Sequence, residues 1–158
     1  MKKIYILFLL SILLGSCNSY YKSVSLNKVS PERKNIAMNF VTTYLEKCDN
    51  KDYSELKGFN ISKRFEARLN ADSLEKSCEN IAFRNGKITV DRLVSVHTIT
   101  YIKDYADVFN IKVKLEKSNT PFYLHLGMYR DQNYIDFPFY FSAEENYYKT
   151  IKKKHPKK

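Results

Sequence analysis

The chain has 158 residues, is 44% hydrophobic and carries a formal net charge of +10. This length fits one ordinary domain. Two of the lysines lie in the first three residues and five more lie within 152–158, so the rest of the chain has a formal charge of only +3. Because the excess charge is concentrated at the two ends, the composition does not indicate a nucleic-acid surface, and we expect no nucleic-acid partner.

The first seventeen residues have the pattern of an export signal. Two lysines precede an apolar run over 4–14, and small residues then lead into a cysteine. A charged start, a short apolar segment and a small-residue cleavage point are typical of a secretory signal peptide, and the run is shorter than the ~20 apolar residues that a spanning helix needs. The order Leu14-Gly15-Ser16-Cys17 resembles the lipobox of bacterial lipoproteins. The alternative is an ordinary signal peptide with an incidental cysteine.

The lipobox resemblance implies a location and an anchor. Residues 1–16 would be removed as a signal peptide, and Cys17 would carry covalent acyl chains on its sulfur and its new amino group. Two or more chains hold a protein stably in a membrane. The polar, serine-rich residues 17–29 are then a lipidated tether at the cell envelope, facing the periplasm or the exterior. Asn18 stands where some inner-membrane lipoproteins have aspartate, which favours the outer membrane.

Three helices are predicted after the tether. Ser30 and Pro31 form a helix start, because serine caps the first turn and proline fits the first helical position. The apolar residues of this first helix recur at helical spacing, which indicates one buried face: Ile36, Ala37, Phe40, Val41, Tyr44, Leu45 and Cys48. A shorter helix is expected over 62–69, and a third from Asp72 to the Asn85-Gly86 stop signal.

Two cysteines remain if Cys17 is lipidated. Cys48 and Cys78 both lie on the apolar faces of predicted helices. In an oxidising compartment they either pair as a disulfide or stay as buried free thiols, and the sequence leaves both alternatives open. Their spacing does not match a structural metal site, so we expect no metal and no cofactor apart from the lipid.

From residue 87 onward the hydrophobic period changes to two. Strands are predicted over 88–102, 106–115, 121–129 and 134–141. A hairpin loop at 130–133 puts Met128 opposite Ile135, Leu126 opposite Phe137, Leu124 opposite Phe139 and Phe122 opposite Phe141. A loop over 116–121 puts Leu115 opposite Phe122, Val113 opposite Leu124, Ile111 opposite Leu126 and Phe109 opposite Met128. Every such pair is apolar, so one face of the sheet is predicted to be buried.

Helices followed by an antiparallel meander predict an α+β fold in which helices pack on a curved sheet of about four strands. Pro138 suggests that the last strand lies at an edge. The element order resembles the nuclear-transport-factor-2-like or cystatin-like cone, over a domain of residues 30–145 that is followed by a basic tail over 146–158. Members of such folds include enzymes, ligand carriers and scaffolds, so the resemblance implies a fold and no particular activity.

The opposite face of the predicted sheet is polar and aromatic. Its candidate binding residues are His97, Lys112, Tyr123, His125, Tyr129, Tyr134, Asp136 and Tyr140. His97 joins this face, opposite Asn110, if a turn lies at Lys103-Asp104. Three interpretations stay open: a solvated outer face, a surface for a protein or ligand, and a catalytic site in which Asp136 orients His125 as a base.

The chain lacks other catalytic signatures. It has no Gly-x-Ser-x-Gly elbow and no glycine-rich phosphate loop. We therefore expect a membrane-anchored, non-enzymatic binding or interaction module of the cell envelope, with an envelope protein or a ligand as its partner. The alternative is a small-ligand binder or enzyme that uses a pocket around His125 and Asp136. The lysine tail is expected to be a solvated end, and contact with anionic lipid head groups is the other interpretation.

Overall fold

The computed structural model describes residues 21–99, 106–130 and 132–154. The elements are β1 Tyr21–Val24, a 3-10 turn Leu26–Lys28, α1 Pro31–Asp49, α2 Lys63–Glu66, α3 Ala71–Asn85, β2 Ile88–Ile99, β3 Ala106–Leu115, β4 Ser118–Tyr129, β5 Ile135–Ser142 and α4 Tyr147–Lys154. The five strands form one antiparallel sheet in chain order. The α+β prediction is confirmed. The signal peptide, Cys17 and the Lys103-Asp104 turn lie outside the described residues.

The fifth strand comes from the segment expected to be a tether. Lys22 pairs with Thr98 and Val24 pairs with Val96, so β1 covers the outer edge of β2. Val29, at the end of the same segment, is buried in the core. The expected tether therefore ends before Tyr21. Its polar sequence lacks the apolar alternation of a strand, but pairing with an open edge satisfies backbone groups whatever the side chains are.

The first helix agrees with its sequence signals. Ser30 accepts a hydrogen bond from the Arg33 backbone N–H at 3.2 Å, and Pro31 occupies the first turn. The second helix has only one turn, Lys63–Glu66, within the predicted 62–69, and Ser62 caps it. The third helix ends at Asn85, before Gly86 at φ +69°. Glycine adopts a positive φ without the steric cost that other residues have, so the helix ends at the predicted stop signal.

Cys48 and Cys78 form a disulfide between α1 and α3, with their Cα atoms 4.9 Å apart. The bond joins two helices that both pack on the same sheet face. Of the two alternatives left open by the sequence, the structure has the paired one.

The β3–β4 hairpin has a tighter turn than predicted. Val113 faces Phe122 and Ile111 faces Leu124, so the predicted pairing is wrong by two residues. The turn uses only Glu116 and Lys117, and β4 then bulges between the pairs Leu115–Ser118 and Val113–Phe122. At this turn the Lys117 Nζ donates to the carbonyl oxygens of Ala82 at 3.1 Å and Phe83 at 2.8 Å, at the end of α3. An even shift keeps every side chain on its predicted face, so the buried face is still correct.

The β4–β5 pairing is confirmed at one end and wrong at the other. Met128 faces Ile135 and Gly127 faces Asp136 as predicted, but Leu126 then faces Phe139 rather than Phe137 because β5 contains a bulge. A Cβ atom at position 127 would lie 2.1 Å from the carbonyl oxygen of Phe137. Glycine at this position therefore permits the close backbone approach that makes the bulge.

The β2–β3 register also differs from the prediction. His97 faces Val108, and Ser95 faces Asn110. The predicted pair of His97 with Asn110 is therefore wrong by two residues, although both side chains remain on the same face. Since the intervening turn lies outside the described residues, the shift is defined by the strand pairs alone.

The residues expected to form a solvated tail instead contribute helix α4. Tyr148 and Thr150 are buried, with 5% and 8% of their surface exposed. This helix packs on the sheet face opposite to α1 and α3, where Tyr147 contacts the ring of His125. The expectation of a solvated end is therefore wrong for these residues, because an aromatic pair and a threonine give the helix an inward face despite its lysines.

Candidate functional site

Helix α4 packs on the polar, aromatic sheet face proposed as a binding surface, over His97, His125 and Tyr140. His125 is completely buried. Its Nδ1 lies 2.8 Å from Asn110 Oδ1, and its Nε2 lies 2.9 Å from Ser142 Oγ. The Ser142 hydroxyl also lies 3.2 Å from Thr150 Oγ1 on α4. Both ring nitrogens thus have partners within the sheet, and Ser142 connects His125 to the helix.

A second histidine extends this network to the surface. Asn110 Nδ2 lies 2.8 Å from His97 Nδ1, and Asn146 Nδ2 lies 3.0 Å from His97 Nε2. A depression of about 240 Å³ opens beside His97, with Ser23 of β1 and Lys149 of α4 also in its lining. We call His97, Asn110, His125, Ser142 and Asn146 the histidine network.

Both histidines of the network favour the neutral form. Burial lowers the pKa of His125 from 6.5 to about 4, although the backbone carbonyl of Glu144 acts in the opposite direction. Burial also lowers the pKa of His97, and the nearby Glu145 partly opposes this effect. At neutral pH the His125 ring is uncharged, as expected for a buried imidazole with hydrogen-bonded partners.

Asp136 is not a partner of His125. Its carboxylate is 1% exposed and accepts from Arg64 Nε at 2.7 Å and 2.9 Å, and from the Phe137 backbone N–H at 2.7 Å. Arg64 also donates to the Tyr129 hydroxyl at 3.2 Å. The structure therefore assigns Asp136 and Tyr129 to an ion-pair cluster with α2, and the base–orienter pair considered from sequence is not formed.

The remaining predicted residues are spread over the sheet: Tyr140 is the strand partner of His125, and Lys112 is the strand partner of Tyr123. Tyr140 contacts the ring of Tyr147 on α4 at 6.5 Å. Tyr123 is half-buried and Lys112 pairs with Asp91 at 3.8 Å. Tyr134 is exposed and lines a separate depression of about 740 Å³ beside the 53–61 loop. The eight candidate residues thus do not form one site.

An aromatic cleft on the other side of the sheet was not predicted. It has a volume of about 590 Å³ and lies between α3 and strands β4 and β5. Its lining residues are Tyr44, Ser77, Asn80, Ile81, Arg84, Asn85, Phe122, Phe139, Tyr140 and Phe141. Pockets of this size are typical of small-molecule and side-chain binding. We call it the α3–β5 cleft.

The cleft is apolar inside and polar at its rim. The rings of Phe122 and Phe141 stack at 6.2 Å with 16° between their planes. Burial raises the pKa of Tyr44 to about 12, although its hydrogen bond with Ser77 lowers it. Arg84 is exposed at the rim. Such a site offers aromatic surface to an apolar group and a cation to an anionic one.

The position of the cleft relative to β5 follows from its lining. Phe139, Tyr140 and Phe141 are consecutive, and alternate residues of a strand point to opposite faces of the sheet. A cleft that all three residues line runs along the backbone of this strand. β5 is the last strand of the sheet, so the cleft lies on an edge strand.

The described residues contain no group of three His, Cys, Asp or Glu side chains placed to hold a metal ion. Within the same part of the chain, no helix is long and apolar enough to cross a membrane. Comparisons of the chain with protein-family models, curated proteins and solved structures found no match.

Sequence reasoning missed the α3–β5 cleft because it assigned the phenylalanines of the predicted strands to the core. Phe137, Phe139 and Phe141 alternate along β5, which is also the pattern of an ordinary buried strand face. The available signal was Pro138, which placed these large side chains on an edge strand, where burial is incomplete.

Proposed function

We propose that this protein is a lipid-anchored, non-enzymatic binding module of the bacterial cell envelope, and that the α3–β5 cleft takes an extended segment of a partner protein. The observation that carries the proposal is the aromatic cleft along an edge strand. An edge strand offers backbone hydrogen bonds to an added strand, and a neighbouring pocket selects its side chains.

The outer edge of β5 is available for such pairing beside the cleft. Among the described residues, the bridge of Ile61 to Ile135 is the one pairing on this edge, and it lies at the start of the strand. Residues 139–141 lie beyond it. An extended segment that continues along β5 would therefore reach the cleft within a few residues.

The cleft also sets the chemistry of the partner segment. Phe122 and Phe141 provide a stacked apolar surface for an aliphatic or aromatic side chain. Arg84 is exposed and, among the described residues, has no ion-pair partner, so it favours an acidic group beside that side chain. The proposed ligand is thus an extended peptide with an apolar residue next to an acidic one.

The same structure gives less support to the catalytic alternative at His125 and Asp136. His125 is buried and hydrogen-bonded through both nitrogens, and Asp136 is engaged by Arg64. A general base must reach a proton of the substrate, directly or through one water molecule. Binding is therefore the better-supported proposal.

The anchor is supported by the lipobox at 14–17 and tested by replacing its cysteine. A Cys17→Ser variant, expressed in a bacterial host, should remain uncleaved by the lipoprotein signal peptidase and should not incorporate labelled palmitate. The control is Ser19→Ala, which changes a neighbouring residue outside the motif. Normal cleavage and labelling of the Cys17→Ser variant would contradict the anchor.

The cleft is tested by photo-cross-linking in intact cells. A benzophenone amino acid at Asn80, which is exposed at the rim, should give a discrete adduct whose cross-linked peptide is identified by mass spectrometry. The same label at Lys114, which is exposed on β3 away from the cleft, should not give this adduct.

Two charge reversals make the cross-linking test specific. Arg84→Glu should abolish the Asn80 adduct, whereas Lys76→Glu, an exposed change on the same helix outside the cleft lining, should leave it. The proposed peptide site would be contradicted if no adduct forms at Asn80, or if the adduct still forms in the Arg84→Glu variant.

A further inference from the structure

The C-terminal helix combines a buried inward side with a strongly basic sequence. Residues 147–158 contain six lysines and no acidic residue. Tyr148 and Thr150 are buried against the sheet, while Lys149 is exposed. Lys152 and Lys153 follow Lys149 at the three- and four-residue spacing that places helix positions on one side. A docked helix therefore presents a row of lysine positions away from the sheet.

Helix α4 lies beside the strand that follows the anchor cysteine. Ser23 of β1 and Lys149 of α4 line the same small depression, and His97, the strand partner of Ser23, contacts Asn146. Ser23 is six positions after Cys17 in the chain, so the two Cα atoms are at most ~22 Å apart. The contacts of α4 thus bring its lysines to the part of the domain that is tied closest to the lipid.

We propose that the outward side of α4 binds the anionic head groups of the membrane that holds Cys17. The inference rests on the proposed lipid anchor and is independent of the α3–β5 cleft. Lysines near an anionic lipid surface attract it strongly, within a screening length of roughly 10 Å. Because the anchor already holds the domain at the surface, this contact fixes its orientation and leaves the cleft, on the opposite sheet face, directed away from the lipid.

The test uses the full acylated protein, purified from membranes and reconstituted into vesicles. One set of vesicles contains phosphatidylcholine alone, and the other contains phosphatidylcholine with phosphatidylglycerol. A cysteine at exposed Ala143, next to α4, carries a donor dye, and the lipid surface carries the acceptor. Cys48 and Cys78 are paired, so the introduced thiol is labelled selectively. A second protein is labelled at Phe83→Cys, on the distant helix α3, where the side chain is 80% exposed.

Energy transfer from position 143 should rise when phosphatidylglycerol is present and fall again in high salt, while transfer from position 83 should not rise. Each lysine removed by Lys149→Gln, Lys152→Gln or Lys153→Gln should lower the ratio of docked to undocked domain about fivefold. The matched control replaces Lys57, Lys63 and Lys76, which are exposed and lie outside α4, and should retain the effect.

The outcomes separate the two proposals. Vesicle-bound protein with no dependence on phosphatidylglycerol overturns the α4 contact and keeps the anchor. Binding to anionic vesicles alone supports the α4 contact and overturns the anchor, and absence from both kinds of vesicle overturns both. A protein with all three of Lys149→Gln, Lys152→Gln and Lys153→Gln is compared with the control that replaces Lys57, Lys63 and Lys76. If both proteins lose the phosphatidylglycerol-dependent rise in energy transfer equally, the inference is overturned, because the effect then depends on total charge.

Discussion

Asn110 Oδ1 lies 2.8 Å from the Nδ1 atom of His125, in the buried centre of the sheet face that α4 covers. The amide nitrogen of the same Asn110 side chain lies 2.8 Å from the Nδ1 atom of His97, so a single residue connects the two histidines. Hydrogen bonds of this kind contribute modestly when formed, but leaving a buried partner unsatisfied is costly. The histidine network therefore makes the packing of α4 sensitive to protonation.

Acidification should destabilise the protein through His125. Its pKa is about 4 in the folded protein and 6.5 in an exposed histidine, so the unfolded chain binds a proton more readily. The stabilisation is complete above pH 6.5 and is lost as the pH falls from 6.5 towards 4. The two pKa values correspond to about 3 kcal/mol of unfolding free energy. Urea unfolding followed between pH 7 and 4.5 measures this loss.

The control for this prediction is His125→Gln, which keeps hydrogen-bonding groups but does not titrate. This variant should be less stable at pH 7 and should lose less stability on acidification than the natural chain. His97→Gln is the second control, because it removes the other histidine of the network and leaves His125 in place. Parallel pH dependences for the natural chain and the His125→Gln variant would contradict the role given to His125.

Reduction of the disulfide should also destabilise the fold. Cys48 and Cys78 are separated by 30 residues, and closing a loop of this length in the unfolded chain is worth about 3–4 kcal/mol. Urea unfolding should therefore show a lower midpoint in the presence of reductant. The Cys48→Ala/Cys78→Ala protein should have the same unfolding midpoint as the reduced protein, and reductant should not change that midpoint. If reductant leaves the midpoint of the natural chain unchanged, the two thiols are not paired in solution.

The bulge in β5 predicts a strong effect of Gly127→Ala. The added Cβ would lie 2.1 Å from the Phe137 carbonyl oxygen, so the backbone has to move, at a cost of about 3 kcal/mol or more. Gly58→Ala is the matched control, because nothing lies within 4 Å of its Cβ and only its φ of +85° is unfavourable. That cost is about 1–2 kcal/mol. Equal losses in thermal unfolding would argue against the close approach.

The limits of sequence prediction are physical and can be seen at particular residues. The capped start of α1 at Ser30 and the glycine stop at Gly86 depend on local chemistry, and both were predicted correctly. The buried faces of β3, β4 and β5 were also correct, because a period of two does not change under a shift of two. The strand partners were wrong, since the β3–β4 turn is only two residues long with a bulge after it, and Gly127 permits a bulge in β5.

The packing of α4 on the candidate face could not be predicted for a related reason. Alternation along the strands identified the face that carries His125 and Tyr140, but it could not show that α4 covers it. The inward side of α4 consists of few residues, among them Tyr148 and Thr150, within a segment dominated by lysine. Tertiary packing of this kind overrides the solvent exposure that a lysine-rich composition predicts. The sequence pattern of the strands contains no information about it.

The last prediction concerns a buried arginine that joins α1 to the β4–β5 turn. Arg33 Nη2 lies 3.2 Å from Asp107 Oδ2, and Nη1 donates to the carbonyl oxygens of Tyr129 at 3.1 Å and Arg130 at 2.6 Å. Arg33→Met removes the charge but keeps an apolar side chain. We expect it to lower the unfolding free energy by about 3 kcal/mol, because a buried carboxylate and several carbonyl groups each lose a charged donor.

The matched control for Arg33→Met is Arg92→Met, which removes an exposed partner of Asp91 at 3.1 Å. Exposed pairs contribute roughly 0–1 kcal/mol, so chemical denaturation should separate the two variants clearly. Arg130 Nη2 also lies 3.3 Å from the carboxylate of Asp107. If Arg33→Met costs no more than Arg92→Met, this second ion pair is sufficient for Asp107, and Arg33 does not hold the turn in place.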